Sequence, residues 1–192
     1  MNILFVNIIV VCFLVGFIIG GDPACENVPK TKIDECCKIP KAIDDKIIKD
    51  VSTNVQAMEG TPTFKKCKMS EEIFKKLNLV VNNDIDCNAG SQFAENSMSD
   101  PEWKKVMKEA FDGCCIEAPK LAEKYQQLVQ FPKDQCNILF DVIIDCVRLV
   151  SFATCPKSSW TDSQVCNDGK TFTHKCGNEL EAMEKFMMNQ YA

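Results

Sequence analysis

CNILFDVIIDCVRLVSFATC, residues 136–155, reads as a single core helix. Placed on a wheel at about 100° per residue, Asn137, Asp141, Asp145, Arg148 and Ser151 fall in a narrow sector. The rest of the circumference, from Ile138 to Phe152, is apolar. A helix apolar nearly all round is buried in protein, and this one is too short and too striped to span a membrane. Asp145 and Arg148 stand one turn apart and can pair, which keeps the polar stripe solvated. Cys146 lies opposite that stripe, Cys155 under it and Cys136 beside it. Three thiols leave one helix in three directions, so bridging all three staples it to three parts of the chain.

Thirteen cysteines occur in the chain. Cys12 sits inside MNILFVNIIVVCFLVGFIIGG, residues 1–21, which is apolar from Ile3 to Ile19 apart from Asn7 and Gly16 and gives way to small residues before Asp22-Pro23. This segment reads as a secretory signal peptide cut near Gly20 to Ala24, although its n-region carries no Lys or Arg. The remaining cysteines are Cys25, Cys36, Cys37, Cys67, Cys87, Cys114, Cys115, Cys136, Cys146, Cys155, Cys166 and Cys176. An even set behind a signal peptide predicts a disulfide framework of six bridges in a secreted protein. Neighbouring cysteines almost never bridge each other. Cys36-Cys37 and Cys114-Cys115 must therefore each reach two partners, and the order of the cysteines does not say which.

The residues from 22 to 192 suit a single domain. The net charge of −5, with no basic block, argues against nucleic acid and against an anionic membrane surface as partners. Residues 22–35 read as an extended arm pinned at Cys25. From Pro40 the pattern is helical, with Ile43, Ile47, Ile48, Val51, Val55 and Met58 recurring at three and four until Gly60-Thr61-Pro62 ends the run. A second helix is expected from Ser70 with Ile73, Phe74 and Leu77 on its apolar side. Asn82-Asn83-Asp84 is a turn, and residues 86–98 read as a polar loop tied by Cys87. Ser99-Asp100-Pro101-Glu102 opens a helix with Trp103, Val106, Met107, Ala110 and Phe111 on one face. Gly113 interrupts it before a further amphipathic run with Leu121, Tyr125, Leu128 and Val129. Phe131-Pro132-Lys133-Asp134 leads into the core helix, and Pro156 stops it. Asn167-Asp168-Gly169 reads as a tight turn, and Asn178 can cap a last helix carrying Leu180, Met183, Phe186 and Met187. The fold class is all-α: a compact, disulfide-stapled domain of about six to eight helices around one buried central helix.

No catalytic constellation accompanies this pattern, and the chain is not expected to be an enzyme. His174, the single histidine, sits in the thiol-flanked stretch TFTHKC and reads as a surface residue. Asp141 and Asp145 fit a solvated stripe better than an acid–base pair. One histidine and no C-x2-C spacing argue against zinc, and no nucleotide or cofactor motif is present. No cofactor is expected. What remains is apolar and aromatic surface on several helices of a domain stapled at about 2–4 kcal/mol per bridge. Such a domain can carry a cavity that adapts to apolar guests.

The spacing Cys136-x9-Cys146-x8-Cys155 resembles the last three cysteines of insect odorant-binding proteins. Pro156 directly after Cys155, then Cys166 after nine intervening residues and Cys176 after nine more, is similar to the Plus-C class of that family. The Cys114-Cys115 doublet fits the class too. Upstream the pattern departs: the six-cysteine members carry a C-x3-C pair, which this chain lacks, so their bridge pattern is not carried over. The resemblance implies a secreted all-helical carrier that binds small hydrophobic odorants or pheromones in an apolar cavity and moves them through aqueous lymph to membrane odorant receptors. The alternative is a secreted, disulfide-rich interaction module with a solid core and no small-molecule ligand. If a cavity exists, it is expected between the core helix and its two best amphipathic partners, the Trp103–Phe111 and Leu121–Val129 runs. Its expected lining is Phe111, Leu121, Tyr125, Phe140, Ile143, Ile144 and Val147, with the Tyr125 hydroxyl as polar handle. A second location lies under the last helix near Phe186 and Met187.

Overall fold

The computed structural model describes residues 22–129 and 135–190, without the side chains of Leu128 and Val129. Residues 1–21, expected to be a signal peptide, and the Phe131–Asp134 lead-in lie outside the described residues. Among the described residues, eight α-helices run in the order α1 (Ile33–Cys36), α2 (Asp45–Gln56), α3 (Pro62–Lys76), α4 (Cys87–Asn96), α5 (Pro101–Val129), α6 (Leu139–Ala153), α7 (Gln164–Cys176) and α8 (Leu180–Met188). The one piece of sheet among the described residues is a hairpin between β1 (Val80–Val81) and β2 (Asp84–Ile85). Asn82 and Asn83 turn it at φ 52° and 63°, the left-handed pair that a two-residue hairpin turn requires. All twelve cysteines from Cys25 onward are disulfide-bonded. The chain divides into two compact units, residues 39–156 and the segments on either side of them.

In the 39–156 unit, α6 packs against α3 and α5, and α5 also packs against α4. None of the α6 residues is fully exposed. The helix is shorter than the sequence suggested, since Cys136 and Cys155 lie just outside it. Cys136 bridges to Cys67 on α3, Cys146 bridges to Cys114 on α5, and Cys87 bridges to Cys115. The adjacent thiols Cys114 and Cys115 thus hold two different elements, α6 and α4. Val51, Val55 and Ile73 form a separate α2–α3 core with Ile43, Ile47, Ile48, Met69 and Leu77 around it, the face that the spacing predicts except for Met58, which lies beyond the end of α2 and is exposed.

Three expectations in this unit are overturned by packing. Helix α3 starts at Pro62, capped by the Thr61 hydroxyl, which accepts from the Phe64 N–H at 3.2 Å. Ser70 is therefore mid-helix and buried, donating toward Asp141 Oδ1 at 3.0 Å. Residues 87–96 are a helix, with Asp86 accepting from the Ala89 N–H at 3.0 Å. Gly90 allows a close approach within it: a Cβ would stand 2.3 Å from the Phe111 ring. Gly113 does not interrupt α5, which runs 29 residues from the Asp100 cap and passes Pro119. Pro119 cannot donate to the Cys115 carbonyl, so one rung of the ladder is missing there.

The polar stripe of α6 is also not solvated. Asp141 is 1% exposed and Ser151 is fully buried. The α3 side chain of Lys66 reaches over the stripe and donates to Asp141 Oδ2 at 3.1 Å and to Asp145 Oδ2 at 2.5 Å. Arg148 adds only a weaker attraction to Asp145.

In the other unit, Cys25 bridges to Cys176 and Cys36 to Cys166. The N-terminal arm is short helical turns rather than extended chain. Gln190 grips it, accepting the Ile33 N–H at 2.8 Å and donating to the Thr31 carbonyl at 3.0 Å. Asn167-Asp168-Gly169 is not a turn but the middle of α7, whose first turn Ser163 caps. Thr31 explains Gly169: a Cβ would come within 2.5 Å of its side chain. His174 lies exposed on the last turn of this helix instead of in a loop. Phe172 and Phe186 stack at 5.6 Å to join α7 and α8. The N-cap of α8 is Glu179 without a side-chain bond, not Asn178.

Candidate functional site

One face of α6 carries Phe140, Ile143, Ile144, Val147 and Ser151 within an arc of about 100°. Its two ends are closed. At the first, Phe140 is fully buried beneath Phe74 of α3 at 5.5 Å between ring centroids, and Phe74 meets Phe111 of α5 at 6.4 Å. At the second, the buried Ser151 hydroxyl points to Met107 Sδ of α5 at 3.4 Å. Between these ends Ile144 and Val147 are only half-buried. The middle of a core-facing stripe thus keeps apolar surface that no neighbour covers completely.

The seven residues named from the sequence do not form one cluster. Phe111, Phe140 and Ile143 are packed tight, with Phe74 as the ring that joins the first two. Phe74 was readable as an apolar position of its helix, but nothing in its spacing says that it stands between α5 and α6. Ile144 and Val147 hold the accessible surface. Leu121 is half-buried on α5. Tyr125 packs elsewhere, against the Cys67, Ala122, Cys136 and Ile138 cluster, together with Phe64, Leu139 and Val142.

That second cluster underlies an open cleft of about 460 Å³ at the start of α6. Pro119, Ala122, Glu123 and Gln126 form one wall, at the i, i+3, i+4, i+7 spacing that puts four α5 residues on one face. Asn83 and Asn137 stand in the lining too, tied by a bond from Asn137 Nδ2 to the Asn83 carbonyl at 3.2 Å. Cys136, Ile138 and Leu139 complete it. None of the seven expected residues is part of this lining.

Electrostatically the unit is dominated by the buried cluster on the α3 flank of α6. Two carboxylates share one ammonium, and burial raises the Asp145 pKa to about 6, with the Asp141 charge adding to the rise and Lys66 opposing it. Asp145 Oδ1 is buried with no hydrogen-bond partner. The cluster clamps α3 to α6, and the Asp141 end of it is closed to solvent. Among the described residues, no group of three His, Cys, Asp or Glu side chains could hold a metal ion. No described helix is long and apolar enough to cross a membrane.

The profile of a family described as AgamOBP47-like matches residues 38–172. General odorant-binding protein 68 of Anopheles gambiae is 24% identical over 190 residues, covering 95% of this chain and 90% of the mosquito protein. Odorant-binding protein 47 of Anopheles gambiae is 27% identical over 177 residues, covering 84% of this chain and 77% of its own length.

Proposed function

This chain belongs to the AgamOBP47-like family of insect odorant-binding proteins, and on that premise we propose that it is a secreted carrier for small hydrophobic odorants or pheromones. The names of its mosquito relatives support the ligand class. The observation that carries the reading is the half-buried Ile144 and Val147 in the centre of an otherwise closed apolar face. A guest seated there replaces water against side chains that the fold leaves partly uncovered. Burial of about 250 Å² of apolar surface contributes about 6 kcal/mol, before the entropy of association is subtracted. The carrier passes through aqueous lymph and releases its guest at membrane odorant receptors. No chemical step is involved, so no cofactor is required.

Uptake of a fluorescent apolar probe such as N-phenyl-1-naphthylamine, and its displacement by volatile alcohols and esters, tests the reading. The protein is expected to bind the probe near micromolar, and Val147→Trp to lose it while the helical circular dichroism and thermal midpoint hold. A folded Val147→Trp protein with unchanged affinity would move the site away from α6. A wild-type protein that ignores every apolar probe would point instead to a solid-cored interaction module.

A further inference from the structure

We infer that the cleft at the start of α6 is a second ligand site, for a small protonated amine with a compact hydrocarbon body. The cleft is amphipathic in a defined way. Its floor is apolar and rigid: Ala122, Cys136 and Ile138 are at most 7% exposed, and Cys136 is locked to Cys67. A volume of about 460 Å³ leaves room for a six-membered ring with a short arm.

The rim sets the charge preference. Among the described residues, Glu123 is the sole ionisable side chain that lines the cleft, which no described lysine or arginine lines. No described residue forms an ion pair with this carboxylate, and the nearby Lys120 is paired with Glu117 at 3.4 Å. A helix N-terminus ordinarily favours anions, but here the first donor of α6 is already used: the Leu139 N–H goes to Asn137 Oδ1 at 3.1 Å. The acidic Asp141 sits in the same first turn. An ammonium group placed at the rim meets the Glu123 carboxylate, whereas a carboxylate ligand meets its repulsion. The hydrocarbon part of the same molecule covers the floor.

The test titrates the oxidised, ¹⁵N-labelled protein with cyclohexylmethylamine, cyclohexylmethanol and cyclohexanecarboxylate at neutral pH. The amine is expected to move the amide resonances of Ala122, Glu123, Gln126 and Asn137. It should bind about fivefold tighter than the alcohol, the size of a rim ion pair, and the carboxylate should bind most weakly. Glu123→Gln, an exposed position, should bring the amine down to the affinity of the alcohol while apolar-probe uptake stays as in wild type. An amine that moves none of these resonances, or that binds Glu123→Gln as tightly as wild type, overturns the proposal. Because probe uptake is read separately, failure here is distinguishable from failure of the carrier reading.

Discussion

The Lys66 ammonium on α3 donates to Asp145 Oδ2 on α6 at 2.5 Å, while the other oxygen of the same carboxylate is buried without a partner. One half of the group is thus well solvated by protein and the other half is not. Lys66 is also shared with Asp141, so the cluster carries one more negative charge than positive when both acids are ionised.

The first expected consequence is a pH dependence of stability. Burial, followed by the Asp141 charge, places the folded Asp145 pKa at about 6 against 3.8 for the free group. The folded state then binds more protons than the unfolded state between those values. This stabilisation is complete below pH 3.8 and is lost as the pH rises through about 6. The linkage amounts to at most about 3 kcal/mol. Urea unfolding of the wild type should therefore show a falling midpoint from pH 5 to pH 7, and Asp145→Asn should remove most of that fall. An equal slope in both proteins would assign the titration to another group.

Two glycine replacements should act in opposite directions. Gly90→Ala drives a Cβ to 2.3 Å from the Phe111 ring, and Phe111 leans on Phe74. Overpacking of this kind costs about 1–3 kcal/mol, more than the helix gains from alanine. Gly113→Ala meets nothing within 4 Å in the interior of α5, so it should stabilise by up to about 1 kcal/mol. Denaturant midpoints of the two variants check the signs.

Removing the Cys67–Cys136 bridge should cost about 4 kcal/mol and removing Cys87–Cys115 somewhat less. The loops they close span 69 and 28 residues, and loop-closure entropy grows with the logarithm of that length. Cys67 and Cys136 are also buried, whereas Cys87 is exposed. Paired Cys→Ala variants compared by urea unfolding would reveal the order, and an inverted order would show that strain outweighs chain entropy here.

Much of the architecture was readable because its signals are local. The repeat of Ile43, Ile47, Ile48, Val51 and Val55 places one face of α2 against α3. Asp100 and Pro101 start α5 as a cap and a first-turn proline do in general. The loop expected over residues 86–98 and the turn expected at Asn167-Asp168-Gly169 misled for one reason. Glycine and asparagine signal turns by their backbone freedom, and that signal is overridden where a neighbouring side chain needs the space, as Phe111 and Thr31 do. The candidate site was readable only as to its helix. Ile144 and Val147 belong to the apolar face by periodicity, but how far each is covered depends on Phe74, Phe111 and Met107 from other helices.

By itself, then, the sequence determined an all-helical chain organised on residues 136–155, with every cysteine after Cys12 expected in a bridge. Periodicity and cysteine parity settle such matters without knowledge of remote neighbours. Tertiary structure decided the pairing, sending Cys114 to α6 and Cys115 to α4. It also decided that the polar stripe of α6 is buried under Lys66 rather than wet. Both depend on distances between segments far apart in the chain. A disulfide forms only where two Cβ atoms come within bonding reach, and a charged stripe is buried only where another helix brings a counter-charge to it.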